Sequence, residues 1–204
     1  KTAMKLGDYV CTEAGFGADL GGEKFMDIKA RFGDLDVAGA VVVATIRSQK
    51  YNGGQPRDEL TTENLDALKK GVVNLERHVD NLRKFGLAPI VALNLFGSDT
   101  EAEREYMRQW AKDFGVPLEE ADVWSKGGEG ATDLAKLVLE NLSAGTATQL
   151  YDPAKGIEAF IETIATQIYR AERVEYSAKA FKDLAYIKDL SLIHISEPTR
   201  PERI

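Results

Sequence analysis

Three carboxylates, two phenylalanines and four glycines are crowded into the stretch Glu13-Ala-Gly-Phe-Gly-Ala-Asp-Leu-Gly-Gly-Glu-Lys-Phe25. Glycines at 15, 17, 21 and 22 permit a tight turn and a close backbone approach, with amides aimed at an anion near a helix N-terminus. The spacing is not the dinucleotide fingerprint, because Leu20 stands where a third glycine is needed. Nor is it a Walker loop, since no Gly-Lys-Ser/Thr follows. On spacing alone, a ligand-contacting loop and a plain strand-to-helix turn both remain open.

Further candidates for holding an anion follow the next apolar run. Arg47, Lys50 and Tyr51 lie in a polar stretch, 47–58, that contains Gly53-Gly54 and Pro56 and reads as a loop. Loops at the carboxyl ends of parallel strands are where open α/β sheets bind ligands. Asn94 closes a later apolar run, and Lys126-Gly127-Gly128 forms a second glycine-rich turn. Metal-ligand spacing is not visible, and no nucleophile–base pair can be argued. Such a set suits phosphoryl and acyl-phosphate chemistry, where positioning and electrostatics carry most of the rate.

These residues need elements to hold them. Asp8 to Thr12 is expected as a strand, followed by a helix to about Arg31 that Gly33-Asp34 stops. Ala38 to Ile46 is a continuous β-branched run, the mark of a strand covered on both faces. Leu65, Leu68, Val72, Leu75, Val79 and Leu82 recur in steps of three and four and predict a crossover helix ending at Phe85-Gly86. Gly71 within it costs about 1 kcal/mol against alanine. His78 lies off the apolar stripe and reads as a surface residue.

Pro89 to Leu95 is the second buried strand. Ser98 to Glu101 reads as a capping box. It opens a helix whose inner face holds Tyr106, Met107, Trp110, Ala111 and Phe114, with Trp110 in the core. Ala121 to Trp124 is expected as a third strand, Ser125 to Gly130 as a turn, and Leu134 to Leu142 as a helix. Alternating strands and helices make a parallel sheet the default. From Tyr151 the pattern is helical only, with a polar hinge at Glu172 to Glu175 and a last helix from Ser177 to about Lys188.

Composition narrows the function classes. The chain has 204 residues and a net charge of −7, so neither nucleic acid nor an anionic membrane is an expected partner. No apolar run approaches the roughly 18 residues of a membrane span. Cys11 is the single cysteine, which excludes an intrachain disulfide and points to a reducing compartment. It reads as a small buried strand residue. The start, Lys1-Thr-Ala-Met-Lys, has no signal-peptide core.

The wording of five stretches resembles one family, the formate–tetrahydrofolate ligases (formyltetrahydrofolate synthetases). They are Glu13 to Phe25; Val42-Val-Ala-Thr-Ile-Arg-Ser-Gln-Lys-Tyr-Asn-Gly-Gly54; Glu63-Asn-Leu through Asn74-Leu-Glu-Arg-His-Val; Val91-Ala-Leu-Asn-Leu-Phe with Asp99-Thr-Glu-Ala-Glu103; and Trp124-Ser-Lys-Gly-Gly-Glu-Gly130. They run in register over about residues 1–189. The resemblance implies an α/β fold, part of a P-loop-NTPase-like parallel sheet with flanking helices, followed by the first helices of a further domain. Residues 1–148 would belong to the nucleotide-binding region and 149–189 to the next domain.

It also implies ATP-dependent formation of formyl phosphate and transfer of the formyl group to N10 of tetrahydrofolate. The substrates would be formate, ATP with Mg2+ and tetrahydrofolate, with no prosthetic group, in a cytoplasmic homotetramer. By motif, Glu13, Gly15, Phe16, Gly17, Asp19 and Phe25 would border the cleft, and Arg47, Lys50 and Tyr51 would face its phosphoryl or folate end. Asn94, Lys126, Gly127 and Gly128 would lie on the nucleotide side. The family's phosphate loop would lie upstream of Lys1, so this piece alone is expected to be inactive. The alternative is a non-catalytic α/β interaction or nucleotide-binding domain. Gly22 and Gly97 depart from the commoner alanine and proline without altering a charge.

Residues 190–204 do not resemble the ligases. They resemble the translation of a transposase adapter used in sequencing libraries, and are expected to be a non-native tail whose His194 belongs to no site.

Overall fold

A computed structural model of the chain describes residues 1–189, so the expectation for the tail lies outside the described residues. The described chain falls into two compact units, divided between Gln149 and Leu150.

The first unit is an α/β fold built on three parallel strands: β1 (Ala40–Ala44), β2 (Pro89–Asn94) and β3 (Leu118–Ala121), in spatial order β1-β2-β3. Val42 pairs with Val91 and Leu93 with Glu120, which fixes the register. Val42, Ala44, Val91 and Leu93 turn one face of the sheet toward α3 (Leu65–Lys84) and α4 (Glu101–Phe114). There they meet Leu68, Val72, Leu75 and Val79 of α3 and Met107, Trp110 and Ala111 of α4. This is the expected stripe of α3, buried at the expected spacing. Trp110 is a core residue, stacked on Phe114 and donating its indole N–H to Glu76. Burying such side chains contributes about 1.5–3 kcal/mol each, so this seam sets the register of the sheet.

The sequence placed several boundaries differently. Residues 8–12 carry no regular secondary structure, and Cys11 is exposed rather than buried. A strand needs a partner for its backbone groups, and among the described residues no backbone hydrogen bond pairs this run with another strand. The stretch expected as loop after β1 begins with a helix, α2 (Ile46–Asn52), capped reciprocally by Thr45 and Ser48. The reciprocal cap of α4 is made by Thr100 and Glu103, two residues beyond the expected pair. β3 begins and ends three residues before the expected strand, because Val123–Lys126 winds into a short helix, α5.

The helix before β1, α1 (residues 18–33), is unusual. Its turns Ala18–Gly22 and Phe25–Ala30 are π-helical, while Glu23–Lys24 and Arg31–Gly33 are α-helical, with Asp34 left-handed at the end. π turns occur mostly as local insertions and are frequent at functional sites. After β3 and α5, α6 (Thr132–Glu140) leads to a segment running along the amino ends of the strands. Ser143 N–H donates to the Ala38 carbonyl, and Thr148 N–H donates to the Phe85 carbonyl.

The second unit is helical. A 3-10 turn at Pro153–Lys155 is capped by Asp152 and followed by α7 (Ile157–Thr163), which runs on through a π turn at Ile164–Ile168. Tyr151 stacks on Phe160, and Lys188 of α8 (Ala178–Asp189) pairs with Glu158 at 2.6 Å.

Candidate functional site

The glycine-rich stretch forms a pocket. Glu13, Ala14, Gly15, Phe16, Leu20, Gly21, Lys24, Phe25 and Lys29 enclose an open hollow of about 340 Å³. Two glycines make it possible. A Cβ on Gly21 would fall 1.5 Å from the Gly15 carbonyl oxygen, so only glycine lets the loop lie on the first turn of α1. A Cβ on Gly17 would fall 2.7 Å from the His78 ring.

Phe16 sits at the tip with a positive φ of 65° and is 91% exposed. A bulky residue held left-handed at a ligand-sized hollow is a place where local strain serves a site. The Gly17 carbonyl receives the N–H groups of Leu20, Gly21 and Gly22, a three-way start to the π turn.

Sequence reasoning missed three members of this neighbourhood. Lys24 and Lys29 bring the pocket its positive charge, and Lys29 Nζ lies 4.8 Å from the centre of the Phe25 ring. His78, expected on the surface, is half-buried against the loop with Nδ1 3.7 Å from Asp19 Oδ1. The two lysines were legible as basic residues on the helix that the glycines open. His78 was not, because its neighbour lies 59 positions earlier in the chain.

Behind the pocket α1 buries two more carboxylates, Glu23 (6% exposed) and Asp27 (1%). Burial, then the adjacent Asp27 charge and a hydrogen bond shared with it, push the Glu23 carboxyl up to about 7, against a smaller opposing pull from Lys24. The two behave as acids that share a proton.

A second group gathers at the carboxyl ends of β1 and β2. Arg47 Nη2 donates to Ser98 Oγ at 2.9 Å, and its guanidinium carbon lies 4.3 Å from the centre of the Phe96 ring. Asp99 accepts from the Phe96 N–H at 2.8 Å. Burial lifts its carboxyl above the ordinary value, although that bond and the Arg47 charge pull the other way. Among the described residues, Arg47 Nε and Asp99 Oδ1 are buried without a hydrogen-bond partner. Asn94 ends β2 half-buried.

Lys50, one turn along α2, is fully buried, and its ammonium is met by protein groups. Nζ donates to Glu103 Oε1 at 2.8 Å and to the Thr62 carbonyl at 2.9 Å. Glu103 also accepts from the Asn64 and Thr100 N–H groups. Burial raises its carboxyl, but the bonds from Lys50, Asn64 and Thr100 outweigh that and hold it below its usual value. Glu103 therefore ties α2, the start of α3 and the start of α4 together. Tyr51 is 56% exposed on α2.

After β3, Lys126 is exposed beside Asp122 at 3.5 Å, and Gly127 takes a positive φ of 59° that favours glycine. The Asp122 N–H donates to the Gly130 carbonyl, closing the turn that carries Gly128.

The structure thus brings Glu13, Gly15, Phe16 and Phe25 into one hollow, with Gly17 and Asp19 beside it at His78. Arg47 is joined to the loop after β2. Lys126, Gly127 and Gly128 form a separate turn. None of Arg47, Lys50, Tyr51, Asn94 or Lys126 lines the glycine pocket. Among the described residues no group of three His, Cys, Asp or Glu side chains is placed to hold a metal ion. Among them, too, no helix is long and apolar enough to cross a membrane.

A parallel α/β sheet with its polar loops at the strands' carboxyl ends and a glycine-opened helix beside it is the frame of a P-loop-like enzyme domain. The sequence profile of the family described as formate–tetrahydrofolate ligase matches residues 1–196, and the chain belongs to that family. Similar proteins include the formate–tetrahydrofolate ligase of Corynebacterium diphtheriae, 59% identical over 189 residues, covering 93% of this chain and 34% of that protein. The protein of the same name from Corynebacterium jeikeium is 52% identical, covering 92% and 33%. That of Staphylococcus aureus strain JH9 is 50% identical, covering 93% and 34%. The chain spans about a third of the length of these relatives.

Proposed function

We propose that the complete protein is an ATP-dependent formate–tetrahydrofolate ligase and that this chain carries part of its cleft. The observation behind the reading is identity of 50–59% along 93% of this chain to proteins of that name. In the proposed reaction a formate oxygen attacks the γ-phosphorus of ATP, the bond to ADP breaks, and formyl phosphate results. N10 of tetrahydrofolate then attacks the formyl carbon, the carbon–oxygen bond to phosphate breaks, and N10 loses its proton.

Both steps ask for fixed dipoles and cations around a moving negative charge, and for a cleft that keeps water from the anhydride. The Gly15 and Gly17 backbone, with Lys24 and Lys29, offers this at the first hollow. Glu13, Phe16, Asp19 and Phe25 border it. Arg47 offers it at the carboxyl end of β1, with Tyr51 exposed on the same helix. Lys50 acts through Glu103 by holding α2, and hence Arg47, in place. Asn94 and the Lys126, Gly127 and Gly128 turn are assigned to the nucleotide side. Mg2+ would arrive with the nucleotide phosphates; the described carboxylates do not fit a site for it, and no step is assigned to it. The complete enzyme is proposed to be a cytoplasmic homotetramer.

The test is an assay of the complete ligase for ADP release that depends on formate and tetrahydrofolate. Arg47→Ala is expected to lower kcat/KM by about 100-fold or more, the scale of losing one charge-stabilising donor. An unchanged rate would remove Arg47 from the site. Absence of formate-dependent turnover in the unaltered enzyme would sink the whole reading.

A further inference from the structure

Gly17 is glycine for a reason that lies on another helix. Its φ of −79° and ψ of 169° are open to any residue, so the backbone itself does not ask for glycine there. The space is taken by the Asp19 carboxylate and by the His78 ring, whose Cε1 would fall 2.7 Å from a Cβ on Gly17. The ring therefore lies directly on the Gly17 backbone. Among the described residues His78 Nδ1 is buried without a hydrogen-bond partner, and it faces Asp19 Oδ1 at 3.7 Å. One turn further along α3, Leu82 Cδ2 would stand 3.6 Å from a Cβ on Gly22, an ordinary packing distance. The π turn is thus laid along α3, and His78 meets it at the residue that opens it.

Gly17 also acts as a lever. Its carbonyl takes the N–H groups of Leu20, Gly21 and Gly22, so a shift of Gly17 moves the first turn of α1 with it. The other candidate group hangs on the same face of α3. Gly71 stands seven positions before His78, two helical turns and about 10 Å away on one face. There α2 lies against α3 at the Gln49 carbonyl, and Arg47 belongs to α2.

We propose that His78 is a positioning residue for the site: its ring seats Gly17 and its Nδ1–H holds the Asp19 carboxylate. The glycine turn is thereby fixed to the helix that also carries the helix of Arg47, and two turns of α3 set the spacing between them. The seating rests on these contacts alone, while its effect on turnover rests on the ligase reading. His78 does not line the hollow, so it acts through Gly17 and Asp19. A packing role would ask only for volume at position 78. Positioning asks for an N–H where Nδ1 stands, which asparagine supplies and leucine does not.

The test compares His78→Leu with His78→Asn in the complete ligase. His78→Leu is expected to raise amide exchange at Leu20, Gly21 and Gly22 by about tenfold and to leave residues 89–94 unchanged. It should lower kcat for formate-dependent ADP release by about 100-fold, the scale of roughly 1 Å of misplacement, with KM for ATP held within about twofold. His78→Asn should bring both exchange and kcat back to within about threefold of the parent. Gly17→Ala presses on the same contact from the other side, whatever residue 78 does to folding. It should reproduce the leucine pattern, and adding His78→Ala to it should cost nothing further.

An asparagine variant as impaired as the leucine one would overturn the proposal, as would a kcat that ignores residue 78. Losses that multiply when Gly17→Ala and His78→Ala are combined would do the same, and so would exchange that rises equally across residues 89–94. If the exchange pattern appears while the unaltered enzyme shows no formate-dependent turnover, the seating stands and the ligase reading fails by itself.

Discussion

Glu103 and Glu23 are both buried glutamates, and their carboxyls move in opposite directions. Glu103 receives a lysine and two backbone N–H groups and stays below its ordinary value. Glu23 is buried beside a second carboxylate and rises to about 7. Burial is the first cause at both, so what separates them is the supply of donors. Where α2, α3 and α4 meet, the chain has invested donors to keep a charge inside. On α1, behind the glycine pocket, it keeps two acids close enough to share a proton.

The sharpest way to break that contrast is to remove the lysine. Lys50→Met should leave Glu103 buried and uncompensated and destabilise the fold by about 3–5 kcal/mol, measured by urea unfolding. The double substitution Lys50→Met with Glu103→Leu should recover most of that loss, because two apolar groups leave no orphaned charge. If the double variant is no better than the single, the ion pair is not what Lys50 contributes.

The pH dependence should show the two acids with opposite signs. Glu23 has a folded value above its unfolded one, near 4.5, so the native state holds the extra proton between them. Its stabilising contribution is whole below 4.5 and is lost as pH rises through about 7, a change of roughly 3 kcal/mol in order of magnitude. Glu103 is depressed, so its contribution is present above its unfolded value and disappears as pH falls through the folded one. Glu23→Gln should flatten the fall between pH 4.5 and 7 and be more stable than the parent at pH 8. A parent whose stability climbs steadily from pH 5 to 8 would contradict the shared proton.

Smaller effects sharpen the picture. Thr100→Ala removes the hydroxyl that accepts from the Glu103 N–H, half of the reciprocal cap, and should cost about 1 kcal/mol in the same unfolding series. Lys136→Ala breaks an exposed pair with Asp133 and should leave the unfolding midpoint unchanged.

Much of the fold was readable because it rests on periodicity. The stripe of α3, the two apolar runs that became β1 and β2, and the inner face of α4 were all legible, although β1 is the shorter Ala40–Ala44 and leaves Val41 and Val43 exposed where a strand covered on both faces was expected. α2 was not readable. Arg47 to Asn52 is polar and runs into Gly53-Gly54, so it looks like loop. Its helix is held from outside: a Cβ on Gly71 would meet the Gln49 carbonyl at 1.7 Å, and one on Gly53 the Ala67 carbonyl at 1.8 Å. The glycine that is a cost within α3 is therefore the place where two helix backbones touch.

The site was legible in the same uneven way. Gly15, Phe16 and Phe25 gather as their spacing suggested, since they are neighbours in sequence. The fate of Lys50 was hidden, because the acid that receives it is 53 positions away. Glu103 itself had a signal, the Thr100-x-x-Glu103 capping pattern, two residues beyond the pattern first read.

That separation reaches back to the ribosome. At about 5–20 residues per second, roughly 3–10 s pass between the synthesis of Lys50 and that of Glu103. During that interval α2 has no counter-charge to bury its ammonium against. The nascent chain must leave the end of β1 open, Lys50 in water, until α4 is made. The body of the domain can close only once its acid has emerged.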